Sequence, residues 1–170
     1  MGLLDRLRPA SAPDAQFTVR VYAERRTFRG AKGDELYSDG QVPVDGSGRP
    51  LGETEHRTSD QRVYHCRVSG THHYPSALGD PRFGNGSRVT FRAEPGNPTD
   101  PNAVAIWDAG GTVQVGYVPA SLSRTVAAAA RNGRLQGQVV RELRLGSASG
   151  KRLALYVLIA PPGRIVTTES

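Results

Sequence analysis

Between residues 87 and 93 the chain alternates cleanly. Val89, Phe91 and Ala93 fall on one side of an extended backbone and Arg88, Thr90 and Arg92 on the other, the period of two that marks a half-buried strand. Phe17, Val19 and Val21 alternate with Thr18, Arg20 and Tyr22 in the same way, and strand-rich composition recurs in "ELYSDGQVPV" (35–44) and "RVYHCRVSG" (62–70). "AVAIWD" (103–108) and "TVQVGYV" (112–118) flank Gly110-Gly111, a hairpin signal. "QGQVVRELRL" (136–145) and "RLALYVLIA" (152–160) form another strand pair around "GSASG". One segment changes period. In 121–133, Leu122, Val126 and Ala130 recur at helical spacing, with Ser121 as N-cap candidate and Gly133 at the expected C-terminal cap. Leu3, Leu4 and Leu7 share a face of one helical turn before Pro9, and the Gly-, Pro- and charge-rich stretch 45–59 reads as an exposed loop. Many short strands with one intervening helix predict a small, mostly β barrel. Its interior is expected to hold Val89, Phe91, Val104, Ile106, Val115, Leu155 and Val157, with Val126 and Ala130 packed at one end. Trp107 is expected in the core and His65 on a strand surface.

A chain of 170 residues suffices for one domain, or one domain with an attachment. Charge then divides it. Residues 1–60 hold 9 basic and 10 acidic side chains, whereas residues 61–170 hold 13 and 6, within a formal total of +6. The second part is where an anionic partner would bind. A single cysteine, Cys66, excludes an internal disulfide framework and suits a reducing compartment. No apolar run reaches a membrane span, and the N-terminal "MGLLDRLRP" fits neither a secretory signal nor a myristoylation motif. The expected location is cytoplasmic, with no membrane association.

Several catalytic readings fail on spacing. "GSASGKR" (146–152) has three residues rather than four between its glycines, and Arg152 stands where a phosphate loop needs a hydroxyl. No nucleophile elbow is present. His65 and Cys66 point to opposite faces of one strand, and no C-x-x-C accompanies them or His72 and His73, so no metal or other cofactor is expected. Glu94 and Asp100 sit on one turn-rich loop, where carboxylates ordinarily satisfy backbone amides.

Three stretches in order, "VSGTHHYPSALGD" (68–80), "VTFRAEPGNPTDPNAVAIW" (89–107) and "VQVGYVPASLSRTVAAAA" (113–130), resemble the HIRAN domain, here of the stand-alone bacterial or phage type. The resemblance spans roughly 61–160. It implies a small OB-like β-barrel with one or two short helices. Residues 1–60 are then an N-terminal β-containing extension and 161–170 a C-terminal tail. It also implies capture of single-stranded DNA at its 3′-OH end, with Asn97 and Asp100 meeting the terminal nucleotide and its hydroxyl. His72 and His73 fall at the family's Arg-aromatic patch, His73 standing where the family stacks a Tyr, with Tyr74 adjacent. Thr99 stands where the family has an aromatic.

The residue chemistry agrees in outline. An ionised Asp accepts hydrogen bonds without donating, so Asp100 suits a hydroxyl and repels a phosphate. His and Tyr rings, including Tyr117, can stack on bases, and Arg88 and Arg92 on one strand face, with Arg67 nearby, can track phosphates. Equally, Asn97 and Asp100 can simply close an Asx-turn. The expectation is a non-catalytic single-strand-binding module in DNA repair, replication or defence, with any helicase, nuclease or larger assembly supplied in trans. The alternative is a protein-interaction module docking onto such an assembly.

Overall fold

The computed structural model describes residues 19–44, 49–51, 54–58, 61–132 and 135–167. The N-terminal turn expected around Leu3–Leu7, the first residues of the strand expected from Phe17, and Gly133 lie outside them. Ten strands follow in chain order: β1 Val19–Arg29, β2 Glu35–Val44, β3 Thr54–Thr58, β4 Gln61–Arg67, β5 Arg88–Ala93, β6 Val104–Asp108, β7 Gln114–Tyr117, β8 Gln136–Leu145, β9 Arg152–Ala160 and β10 Ile165–Thr167. Two helices, α1 Pro75–Leu78 and α2 Ala120–Arg131, and two 3-10 turns, Thr71–His73 and Pro81–Phe83, interrupt them.

The sheet is mostly antiparallel and is organised by β8. One edge of β8 pairs with β9 along its length, while the other is shared, β5 taking its start and β2 its end. Besides the β2–β1–β10 branch, two paths leave β8, one running β5–β6–β7 and the other β9–β4–β3. The two paths meet at an isolated bridge, in which Ser69 and Tyr117 exchange backbone hydrogen bonds of 2.8 and 2.9 Å. Among the described residues no continuous ladder closes the sheet, so this is an OB-like curl rather than a sealed barrel.

Core placement follows the alternation. Val89, Val104, Ile106, Val115, Val126, Leu155 and Val157 are all buried in one cluster, with Ala130 packed against it. Phe91 joins from the margin, half-buried. On β9 the even-numbered Ala154, Tyr156, Leu158 and Ala160 enter a second cluster with Leu51, Val63 and Val140. This explains why "LALYVLIA" reads as a continuous apolar run: the strand is covered on both faces.

Five expectations are corrected. The 45–59 stretch is not all loop, because Thr54–Thr58 pairs with β4. The 161–170 segment contributes β10, parallel to β1. The N-cap of α2 is Pro119 rather than Ser121, which lies inside the helix; the fixed φ of proline suits the entry to a first turn. His65 is buried, with Nδ1 3.0 Å from the Leu51 carbonyl. Trp107 is half-exposed on the outer sheet face, because β6 turns Val104 and Ile106 inward and the alternation sends residue 107 the other way. Its ring lies 4.2 Å beneath the Arg92 guanidinium.

Candidate nucleic-acid interface

The loop between β5 and β6 begins as a tight reversal, with Glu94 N–H donating to Ala103 and Asn97 N–H donating to Glu94. Its two candidate side chains build it. Asn97 Oδ1 accepts from the Thr99 and Asp100 amides at 2.9 and 3.2 Å. Asp100 Oδ1 accepts from the Asn102 amide at 2.8 Å. The Asx-turn is therefore real, yet it does not exhaust either group. Each Asp100 oxygen accepts one hydrogen bond, Oδ2 taking the Ser123 hydroxyl at 2.9 Å, and a carboxylate has about four acceptor positions.

Glu94 has a role that backbone capping does not describe. Its Oε2 accepts from Asn97 Nδ2 at 3.0 Å and from the Tyr117 hydroxyl at 3.1 Å. This ties the loop to β7. Tyr74 extends the chain: its hydrogen bond to Tyr117, then burial, push its phenol up to about 12. The Tyr74 and Tyr117 rings sit 6.3 Å apart at a 58° tilt.

Between these groups opens a cleft of about 400 Å³. His73 and Tyr74 enter it from the turn after Gly70, Tyr117 from β7, and Asn97, Thr99 and Asp100 from the loop. Six of the nine residues singled out in the sequence thus meet in one place. His72 faces the adjoining cleft, its ring 3.9 Å from that of His73. Arg88 and Arg92 line neither. Arg92 donates to the Gly111 carbonyl at 2.6 Å and covers Trp107. Arg67 lies on β4, whose neighbours are β3 and β9, not β5.

Two contributors escaped the sequence reading. Ser123 is a buried polar residue one turn before Val126 on the inward face of α2, and that position is the signal that was available. Gly116 is the other. A Cβ there would stand 2.4 Å from the Ser69 carbonyl oxygen and 2.7 Å from Val68 Cγ1, so only glycine lets β7 approach Ser69 and form the cleft floor. Gly116→Ala is expected to cost about 1–3 kcal/mol, as overpacking of a tight contact does, and to weaken ligand binding by spreading the cleft. Urea denaturation and oligonucleotide titration of the same variant check both halves.

The Tyr74 hydrogen bond carries its own prediction. A folded pKa raised from 10.0 to about 12 favours the neutral phenol. The stabilisation is therefore present in full below pH 10 and is lost as pH rises through the folded value. In phenolate absorbance titrations, Tyr74→Phe should remove a late-titrating member of the six tyrosines. If the variant leaves that late phase in place, the Tyr74–Tyr117 bond is not what shifts it.

Comparison with known proteins supplies the family context. A family model described as the HIRAN domain matches residues 62–157. Among solved structures, the HIRAN domain of human HLTF is similar over 59% of this chain and 77% of its own, with 20% identity and a TM-score of 0.41. A structural-genomics protein from Lactobacillus plantarum is similar over 57% of this chain and 91% of its own, with 20% identity and a TM-score of 0.43. No curated protein sequence matches significantly. No helix among the described residues is long and apolar enough to cross a membrane.

Proposed function

Since the chain belongs to the HIRAN domain family, a family of nucleic-acid-binding domains, we propose that it is a non-catalytic module that captures single-stranded DNA at its 3′-OH end. The observation that carries this reading is the convergence of His73, Tyr74 and Tyr117 with Asn97, Thr99 and Asp100 on one cleft. Flat rings and a preset polar loop are what a terminal nucleotide requires. A base stacks on aromatic faces at roughly 1–3 kcal/mol, and a terminal hydroxyl donates into the open acceptor positions of Asp100.

The loop is organised before any ligand arrives. Its internal hydrogen bonds, together with Pro95, Pro98 and Pro101, reduce the entropy lost on binding. Ser123 and Asn102 hold the Asp100 carboxylate in place from both oxygens. Nothing in this arrangement asks for bond-breaking, so cleavage or unwinding of the captured strand falls to a partner helicase, nuclease or larger assembly, in repair, replication or defence. The test is a titration with oligonucleotides identical except for a 3′-hydroxyl or 3′-phosphate terminus. Preference for the hydroxyl supports the reading; equal affinity makes the loop a turn and nothing more.

A further inference from the structure

The end-binding cleft has no lysine or arginine among its described lining residues, yet the ligand proposed for it is a polyanion, whose affinity ordinarily rests on cations. Those cations lie next door. A second cleft, of about 510 Å³, is lined by His72, Arg144, Lys151 and Arg152, among others. The His72–His73 pair, its rings in contact at a 43° tilt, spans the two, His73 facing the first and His72 the second. We infer that this basic cleft binds the phosphates of the nucleotides 5′ to the captured end, the strand running from the end cleft over the histidine pair to Lys151. This inference rests on the end-binding reading above.

Local structure here breaks a rule that stability alone would keep. Arg144 and Arg152 stand directly opposite each other on β8 and β9, where like charges are destabilising. A single carboxylate oxygen, Glu142 Oε2, accepts from both guanidiniums. Two cations against one anion leave the site electropositive. Lys151 adds a third cation; it is exposed and has no carboxylate partner among the described residues. Violations of local consistency of this kind gather at functional sites.

The lysine is also held in position. A Cβ on Gly150 would sit 1.7 Å from the Leu145 carbonyl oxygen, so the turn from β8 to β9 is as tight as glycine allows. Arg144 Nη1 donates to the Gly150 carbonyl at 2.9 Å, and Leu145 N–H donates to the Lys151 carbonyl at 3.0 Å. The backbone of Lys151 is thus fixed at the cleft rim while its ammonium stays free to meet a phosphate.

The experiment uses the full chain and fluorescence anisotropy across a salt series. The probes are a dinucleotide and an octanucleotide of DNA, each ending in 3′-OH, and the octanucleotide ending in 3′-phosphate. Lys151→Ala should flatten the log–log salt slope for the octanucleotide by about 0.7, the share of one phosphate on a single strand. Over a fourfold change in salt, the affinity lost should then shrink by about 2.6-fold. Lys151→Glu should weaken octanucleotide binding further. Neither change should alter dinucleotide affinity or the ratio between the two 3′ termini. Wild-type affinity and slope for the octanucleotide in both variants would overturn the inference. If the wild-type protein shows no preference between 3′ termini while Lys151→Ala still flattens the slope, the end-binding reading falls and phosphate contact at Lys151 stands.

Discussion

Glu142→Ala should destabilise the protein by about 3–5 kcal/mol, the usual cost of removing one partner from a buried ion pair. Glu142 and Arg152 are both buried, with side chains 9% and 5% exposed. Arg152 donates to Glu142 through Nε, and its Nη1 donates to the Leu78 and Asp80 carbonyls at 2.7 and 3.0 Å. Without the carboxylate, the buried guanidinium keeps its charge while its Nη1 still donates to the two carbonyls. The consequence reaches the candidate cleft. Leu78 ends α1 and Asp80 caps the turn that follows, so Arg152 clamps to β9 the segment that begins with His72, His73 and Tyr74. Oligonucleotide affinity should therefore fall in Glu142→Ala even where the protein remains folded. The double variant Glu142→Leu with Arg152→Leu should recover part of the stability, since apolar replacement of both charges is often tolerated. It should not recover affinity, because the two carbonyls lose their donor. Urea unfolding of the three proteins decides the matter, and a loss below about 1 kcal/mol for Glu142→Ala would remove Arg152 as the clamp.

The strands that were legible in the sequence are those whose period or composition is set by their own burial. The strands at 35–44, 136–145 and 152–160 begin and end where the pattern places them, because bounding glycines and apolar runs are local signals. What was not legible depends on neighbours. β3 is ordinary polar sequence and β10 is only the three residues Ile165–Thr167; both are strands because β4 and β1 offer them an edge. Trp107 was assigned inward on residue type, whereas the register of β6 assigns it outward. His65 was assigned outward on type, and its contact with Leu51, which is 14 residues away, keeps it in.

The site divides along the same line. Asn97, Thr99, Asp100, Tyr117, His73 and Tyr74 were readable because the loop and strand-end motifs are contiguous in sequence. Glu94 was read as a cap for backbone amides. Its partnership with Tyr117 spans 23 residues and arises only when β5, β6 and β7 fold side by side. Arg88 and Arg92 were chosen because alternation put them on one exposed face. That face is the one carrying Trp107, and the cations that line the second cleft, Arg144, Lys151 and Arg152, lie at the β8–β9 hairpin whose glycines are mis-spaced for a phosphate loop.

An oligonucleotide ending in 3′-phosphate is expected to bind about 10- to 150-fold more weakly than its 3′-hydroxyl twin. That range corresponds to about 1.5–3 kcal/mol, the value of one hydrogen bond to a charged group. On the proposed reading the hydroxyl donates to Asp100, whereas the phosphate brings up to two negative charges against a carboxylate that can only accept. Asp100→Asn should shrink this discrimination, since an amide offers donors as well as an acceptor. It should leave the salt slope nearly intact, because no cation is lost. The change also tests the loop itself: Ser123 and Asn102 both donate to Asp100, and an amide oxygen can accept only one of the two in the present geometry. Some loss of affinity for both termini is therefore expected alongside the lost preference. Asn97→Ala removes the acceptor of the Thr99 and Asp100 amides and should weaken the hydroxyl-ended ligand by releasing the turn that aims Asp100. Thr99 is exposed at the rim of the cleft and carries no ring. Thr99→Tyr should strengthen end binding by adding a stacking surface worth roughly 1–3 kcal/mol, without changing the ratio between termini. Equal affinity for the two termini in the wild-type protein, unchanged by Asp100→Asn, would leave a strand binder with no sense of where the strand ends.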